Sequence, residues 1–259
     1  MRTLLLVLSV LALVPGAQLQ AQSVIESDPG SAVRTRAELE RLLSLYEEAM
    51  QSPAYSQGVK RSVQASAAQI RERLERGDFR VGDRVALYVE GEPNIPDTVP
   101  VEPGPMISLP LFGQISLDGV LRSEIQEHLT REMSQFIRDP VVRASGLMRL
   151  SILGSVGRPG FYVVPADMLL SEALMMAGGP AGNADLEDLQ IERASTRLMD
   201  GDELSEAMRV GRTLDQLNLQ AGDQLFVPQQ TPSIWGNILL RYALPILTVT
   251  LIGVRVYGR

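Results

Sequence analysis

Apolar and polar positions change period several times along this chain, and each change marks an element. Leu39, Leu42, Leu43 and Tyr46 recur at i, i+3, i+4 and i+7, one face of a helix. Ser52, Pro53 and Gly58 bound a turn, after which Val59, Val63, Ala67, Ile70 and Leu74 trace a second helix at near-heptad spacing. Gly77 stands where a left-handed cap would end that helix. Two helices with a short connection predict an antiparallel hairpin, a packing or oligomerisation module.

From residue 79 the period falls to two, as Val85, Leu87 and Val89 alternate with polar or small neighbours. Residues 92–105 are rich in Pro and acids and read as an extended loop, and residues 106–117 read as two short strands about Gly113. Leu121, Ile125, His128, Leu129, Glu132 and Phe136 trace a helix, Asp139-Pro140 ends it, and residues 141–143 begin another strand. Strands follow over 149–153 and 161–164, with a turn at Gly157 to Gly160 between them. A helix over 168–176 is stopped by Gly178-Gly179. A strand over 189–193, a turn at Asp200-Gly201 and a closing strand over 225–227 complete the run. The predicted class is α+β: a helical extension over 22–76, a small mixed-sheet domain over 77–147, and a β-grasp-like domain over 148–230 with its sheet packed on one helix.

The two ends follow neither pattern. Arg2 precedes an apolar run from Leu4 to Val14, Pro15-Gly16 ends it, and Ala21 offers a small residue for cleavage. This predicts a secretory signal peptide over 1–21 and an exported mature chain. Residues 234–257 are mostly apolar and long enough for a tilted membrane helix, flanked by Trp235 and Tyr257 as interfacial aromatics. At about 100° per residue, Asn237, Arg241, Thr248 and Arg255 fall within roughly 40° of one another. Such a stripe fits a helix whose polar side lines a pore and whose other side meets lipid. A plain single-pass anchor with snorkelling arginines is the other reading.

Composition narrows the chemistry. The chain has 259 residues, 24 Lys+Arg against 31 Asp+Glu, one His and no Cys. No thiolate catalysis, Cys-ligated zinc, disulfide or lipid-bearing N-terminal Cys is available, and a lone His128 reads as a packed or edge residue. The acidic balance speaks against a phosphate-driven grip on nucleic acid. Gly178 to Asn183 is Gly-rich but follows a helix and lacks Gly-Lys-Ser/Thr, so it reads as a helix stop. The acids Asp185, Glu187 and Asp188, and Asp200, Asp202 and Glu203, match no EF-hand loop. No catalytic residue, cofactor or metal site is expected, and no ligand-binding residue stands out.

Specific stretches carry a family likeness. Val81-Gly-Asp83, the segment Ile107-Ser-Leu-Pro-Leu-Phe-Gly-Gln-Ile-Ser-Leu-Asp-Gly119 and Arg138-Asp-Pro-Val-Val142 occur in an order that resembles the N-terminal domain of the polysaccharide biosynthesis/export family. Ile152-Leu-Gly-Ser-Val-Gly-Arg-Pro-Gly-Phe-Tyr162, Leu170-Ser-Glu-Ala-Leu-Met-Met-Ala-Gly-Gly179 and Leu219-Gln-Ala-Gly-Asp-Gln-Leu-Phe-Val-Pro228 resemble that family's SLBB domain, a soluble ligand-binding β-grasp. The resemblance implies a homo-oligomeric ring in the periplasm and outer membrane, passing a polysaccharide driven by an inner-membrane export partner. It also places the 231–259 tail where some members carry an amphipathic membrane helix. The chain departs from the family in having Gln22-Ser23 where many members carry a lipidated Cys, Pro103-Gly-Pro105 before the Ile107 strand, and a helical segment before residue 79. A tail-anchored protein that binds a soluble sugar and a structural envelope scaffold are the alternatives.

Overall fold

The computed structural model describes residues 33–199 and 201–230. The expected signal peptide, Asp200 and the whole tail with Trp235, Asn237, Arg241, Thr248, Arg255 and Tyr257 lie outside the described residues. Among the described residues no helix is long and apolar enough to cross a membrane.

The hairpin forms as the periodicity predicts. Helix α1 spans Arg36–Gln51 and α2 spans Gln57–Arg76. A capping box starts α1: the Thr35 side chain accepts from the Glu38 N–H, and the Glu38 carboxylate accepts from the Thr35 N–H at 2.7 Å. Gly77 ends α2 at φ +72°, and a Cβ there would stand 2.4 Å from the Val120 carbonyl oxygen, so both the turn and the close approach require glycine. Only the lower part of the hairpin is buried. Leu39, Ala67 and Ile70 are fully covered, whereas Val59 near the tip is exposed.

The strands are β1 (Arg84–Val89), β2 (Thr98–Pro100), β3 (Met106–Leu109), β4 (Gly113–Ser116), β5 (Val142–Gly154), β6 (Gly160–Pro165), β7 (Gln190–Arg193), β8 (Thr196–Met199) and β9 (Gln224–Val227). The helices that follow the hairpin are α3 (Ile125–Met133), α4 (Leu170–Met176) and α5 (Gly201–Val210), with a 3-10 turn over Arg122–Glu124 leading into α3. Seven strands form one sheet in the order β2-β1-β5-β9-β7-β8, with β6 also on β5, and β3-β4 is a separate hairpin.

The central fact of the topology is β5. The sequence pattern reads strands at 141–143 and 149–153 separately, yet they are one strand of 13 residues. Its first half pairs antiparallel with β1, from Val142 opposite Val89 to Leu147 opposite Arg84. Its second half pairs antiparallel with β6 and parallel with β9. Leu147 lies between Arg84 and Pro165, so β1 and β6 occupy opposite edges. The strand thus joins two cores. One packs Val85, Leu87 and Val99 against Ile125, Leu129 and Met133. The other packs Met148, Leu150, Ile152 and Val164 against Leu170, Leu174, Leu204 and Ala207.

Three local expectations change. Residues 92–105 contain the short strand β2, whose Val99 is buried against the first core. Gly201, expected in a turn, instead begins helix α5, so the β5–β9 half of the large sheet packs on two helices rather than one. Asp202 and Glu203 occupy the first helical turn, where they suit the helix dipole, while Leu204 and Ala207 supply the buried face. The tight turn lies earlier, at Ala194 and Ser195 between β7 and β8, both with positive φ (47° and 65°) as a two-residue hairpin of this hand demands. The predicted 121–136 helix is shorter, and Phe136 beyond its end stacks edge-on against Phe112, with ring centroids 5.6 Å apart.

Candidate functional site

The residues expected to line a pore are outside the described region, so the described part is judged by its charged groups and its surface. The most unusual feature is a buried charge cluster where the helical hairpin, the first core and the second core meet. Arg73, on the apolar stripe of α2 three residues after Ile70, is 1% exposed. All five of its N–H donors are used. Nε and Nη2 reach Asp78 at 2.6 and 3.1 Å, Nη2 also reaches Asp215 Oδ1 at 2.7 Å, and Nη1 reaches the Asp215 carbonyl and Asn218 Oδ1 at 3.2 and 2.8 Å. Arg122, from the 3-10 turn, donates from Nη1 to Asp215 Oδ1 at 3.1 Å and from its backbone N–H to Asp78 Oδ2 at 3.0 Å. The Arg34 N–H donates to Asp215 Oδ2 at 2.9 Å.

Two arginines and two aspartates therefore pair inside the protein, beside the buried Arg34, whose Nε has no hydrogen-bond partner. Burial works against the charge on Arg73, but Asp215 and Asp78 outweigh it and hold the guanidinium above its usual pKa. Burial likewise opposes the Asp78 carboxylate, and Arg73 with Arg122 pulls it below the usual range. Asp83, beside the cluster, fares differently. Burial raises it to about 6, Oδ2 accepts from the Arg80 N–H at 2.8 Å, and Oδ1 has no partner. Two further forks tie the same regions together. Arg36 grips Glu124 at 2.7 and 2.9 Å, and Arg193 grips the fully buried Asp223 at 2.7 and 2.8 Å.

Sequence reasoning missed this cluster. One signal was legible, an arginine in register with Ala67 and Ile70 on an otherwise apolar face. Its partners gave none, since Asp215 stands 142 positions from Arg73.

Chemically the cluster holds rather than reacts. The donors of Arg73 all face protein acceptors. A shallow concavity of about 390 Å³ lies nearby, lined by Arg36, Asp118, Glu124, Glu127, His128 and Arg131 among others. His128 there shares a hydrogen bond of 2.8 Å between Nε2 and the Ser116 carbonyl, as an edge residue would. Among the described residues no group of His, Cys, Asp and Glu could hold a metal ion. Asp185 Oδ1 accepts from the Glu187 N–H at 3.2 Å, a local turn contact.

The sequence matches two family models in tandem. Residues 73–145 match the polysaccharide biosynthesis/export protein model, and residues 149–205 match the SLBB domain model. The chain belongs to the polysaccharide biosynthesis/export family. Among curated relatives, the EPS I polysaccharide export outer membrane protein EpsA of Ralstonia solanacearum is 34% identical over 94 residues, 34% of this chain. The match spans only 25% of that relative's length. The export-family match begins at Arg73, so both Arg73 and Asp78 fall inside it, while Asp215 follows the end of the SLBB match.

Proposed function

We propose that the chain is a subunit of an oligomeric conduit that exports polysaccharide across the outer membrane of a Gram-negative-type envelope. The observation that carries this is the tandem of export and SLBB matches laid along one continuous strand, β5. Passage is passive: the chain supplies a path and its rigidity, and an inner-membrane export partner supplies the energy. No catalytic step is assigned to it. The buried cluster serves this role by fixing the helical extension, the export unit and the SLBB unit as one body, since a conduit wall must keep its shape under load. The chain enters the outer membrane through its 231–259 tail, with Asn237, Arg241, Thr248 and Arg255 facing the polar lumen and Trp235 and Tyr257 at the interfaces.

The natural absence of cysteine makes the test clean. Single cysteines at Arg241 and Thr248 in assembled membranes should react with an impermeant thiol reagent, and cysteines at Leu239 and Ile246 on the opposite helix face should not. Equal reactivity of the two faces would overturn the lining. Undiminished extracellular polysaccharide in a strain lacking the chain would overturn the export role.

A further inference from the structure

Both cores take their strand residues from one face of the seven-stranded sheet, among them Val85, Leu87, Val142, Met148, Ile152 and Val164. Side chains alternate along a strand, so their neighbours point the other way. These are Arg84 and Tyr88 on β1, Arg143 and Arg149 on β5, and Phe161 and Val163 on β6, all of them exposed. Strands β1, β2, β5, β6 and β9 contain no Asp or Glu, and their three charged residues, Arg84, Arg143 and Arg149, all stand on this open face. None of the three forms an ion pair among the described residues. Acids sit at the strand ends, at Glu90 and Asp167, and Glu192 further across, on β7, stands opposite Arg197 on β8. The whole chain is acidic, with 24 Lys+Arg against 31 Asp+Glu, so this face is a local reversal of charge.

The arginines come with aromatic rings. Tyr88 (55% exposed) stands directly opposite Arg143 across β1 and β5. Arg149 lies 4.7 Å over the ring of Phe161 (69% exposed) on β6. The two arginines share one face of β5 six residues apart, about 20 Å at the rise of a strand. The Tyr88–Arg143 pair falls in the export-family match and the Arg149–Phe161 pair in the SLBB match, so each part contributes one station. Arg84, opposite Leu147, stands between them. A small ligand is normally held in a cleft. A flat face that repeats one pair of side chains along a straight strand suits an extended chain that repeats its own chemistry. The planar fork of a guanidinium matches a carboxylate, and an exposed ring offers its apolar face to the C–H face of a sugar.

We infer that this open face is a track for the exported polymer, and that the polymer is anionic, with carboxylates such as those of uronic acids along its length. The inference rests on the conduit reading and adds to it the charge of the substrate and the strands that it follows. Each arginine is exposed, so each contact is weak and screened by salt. Two stations on one rigid strand hold a chain together more firmly than either does alone, yet each can let go in turn, which allows the chain to advance.

The test uses the full chain in mild detergent, with polygalacturonate as the probe and its fully methyl-esterified form, the same backbone without the charge, as the control. The chain should bind polygalacturonate with an affinity that falls as salt rises, and should not bind the ester. Arg143→Gln/Arg149→Gln should weaken binding about tenfold. Arg41→Gln/Arg61→Gln, which removes two exposed arginines of the helical hairpin, should leave it unchanged. Tyr88→Thr/Phe161→Thr should weaken it severalfold at fixed salt. Unchanged thermal midpoints show that each variant is folded. The chain has no Cys of its own, so Ser145→Cys, exposed between the two stations, reads the face with its rings and arginines intact. Polygalacturonate should slow its reaction with an uncharged thiol reagent, and should not slow that of Gln64→Cys on the hairpin. Equal binding of the charged and esterified polymers, equal loss in the two arginine variants, or no protection of Ser145→Cys overturns the inference. Full affinity in the ring variant makes the face a plain polyanion surface and overturns it too. All these outcomes leave the export role untouched. Normal secretion by a strain lacking the chain would refute the conduit and with it the track, even where the face binds polygalacturonate, so the two failures are told apart.

Discussion

Arg73→Met tests the proposition that the buried cluster holds the three parts together. The substitution keeps most of the aliphatic volume but removes five hydrogen bonds and one charge. Asp78 and Asp215 stay within 2% of full burial. Removing one partner of a buried ion pair usually costs about 3–5 kcal/mol, because the remaining charge is left unmatched. Arg122 still reaches both carboxylates, through its Nη1 and its backbone N–H, so the expected loss is near the lower limit, about 3 kcal/mol. Against a total of about 5–15 kcal/mol that is a large share. Arg73→Lys should lose about 1–3 kcal/mol even with its charge kept, since a compact ammonium with three donors cannot serve two carboxylates and Asn218 at once. Adding Asp78→Asn to Arg73→Met leaves Arg122 and Asp215 as a matched pair, so the double variant should be no less stable than Arg73→Met alone. Urea unfolding at neutral pH, followed by far-UV circular dichroism, gives each value. Hydrogen exchange should show faster opening both at residues 78–83 and at 213–220. A loss under about 1 kcal/mol, or strict additivity of the two substitutions, would refute the reasoning.

Asp83→Asn should flatten one part of the pH profile. The Asp83 pKa, raised to about 6 from its ordinary 3.8, means the stability contributed by its protonated form is fully present below about pH 4 and lost as pH rises through 6. The variant should match the wild type near pH 4 and exceed it at pH 7 by about 1–3 kcal/mol. Parallel pH-dependent unfolding curves for the two proteins would contradict the assignment. Asp78, lowered by its arginines, works in the opposite sense, and its contribution is lost only on further acidification. In the β7–β8 turn, Ala194→Asn/Ser195→Gly places the residues that best tolerate positive φ at both central positions, and should raise stability by about 1 kcal/mol. An unchanged thermal midpoint would argue that the turn carries no strain.

The sequence alone determined what is encoded within a few residues. The hairpin helices, the cap at Gly77, the alternating strand β1 and the helix stop at Gly178 all depend on local period and local backbone preference. Spaced stretches also carried the family likeness, which the tandem matches support. Tertiary structure decided the rest. Val142 to Gly154 is one strand because β1 pairs with one half and β6 and β9 with the other, and no local signal spans that join. Gly201 to Val210 is a helix because Leu204 and Ala207 find a core to cover, although the Asp-Gly pair before it favoured a turn. Arg73 became the centre of the cluster only when folding brought Asp215 across 142 positions to meet it. A buried charge is tolerable only with its partners in place. Those partners come from distant parts of the chain, so their meeting is a property of the fold.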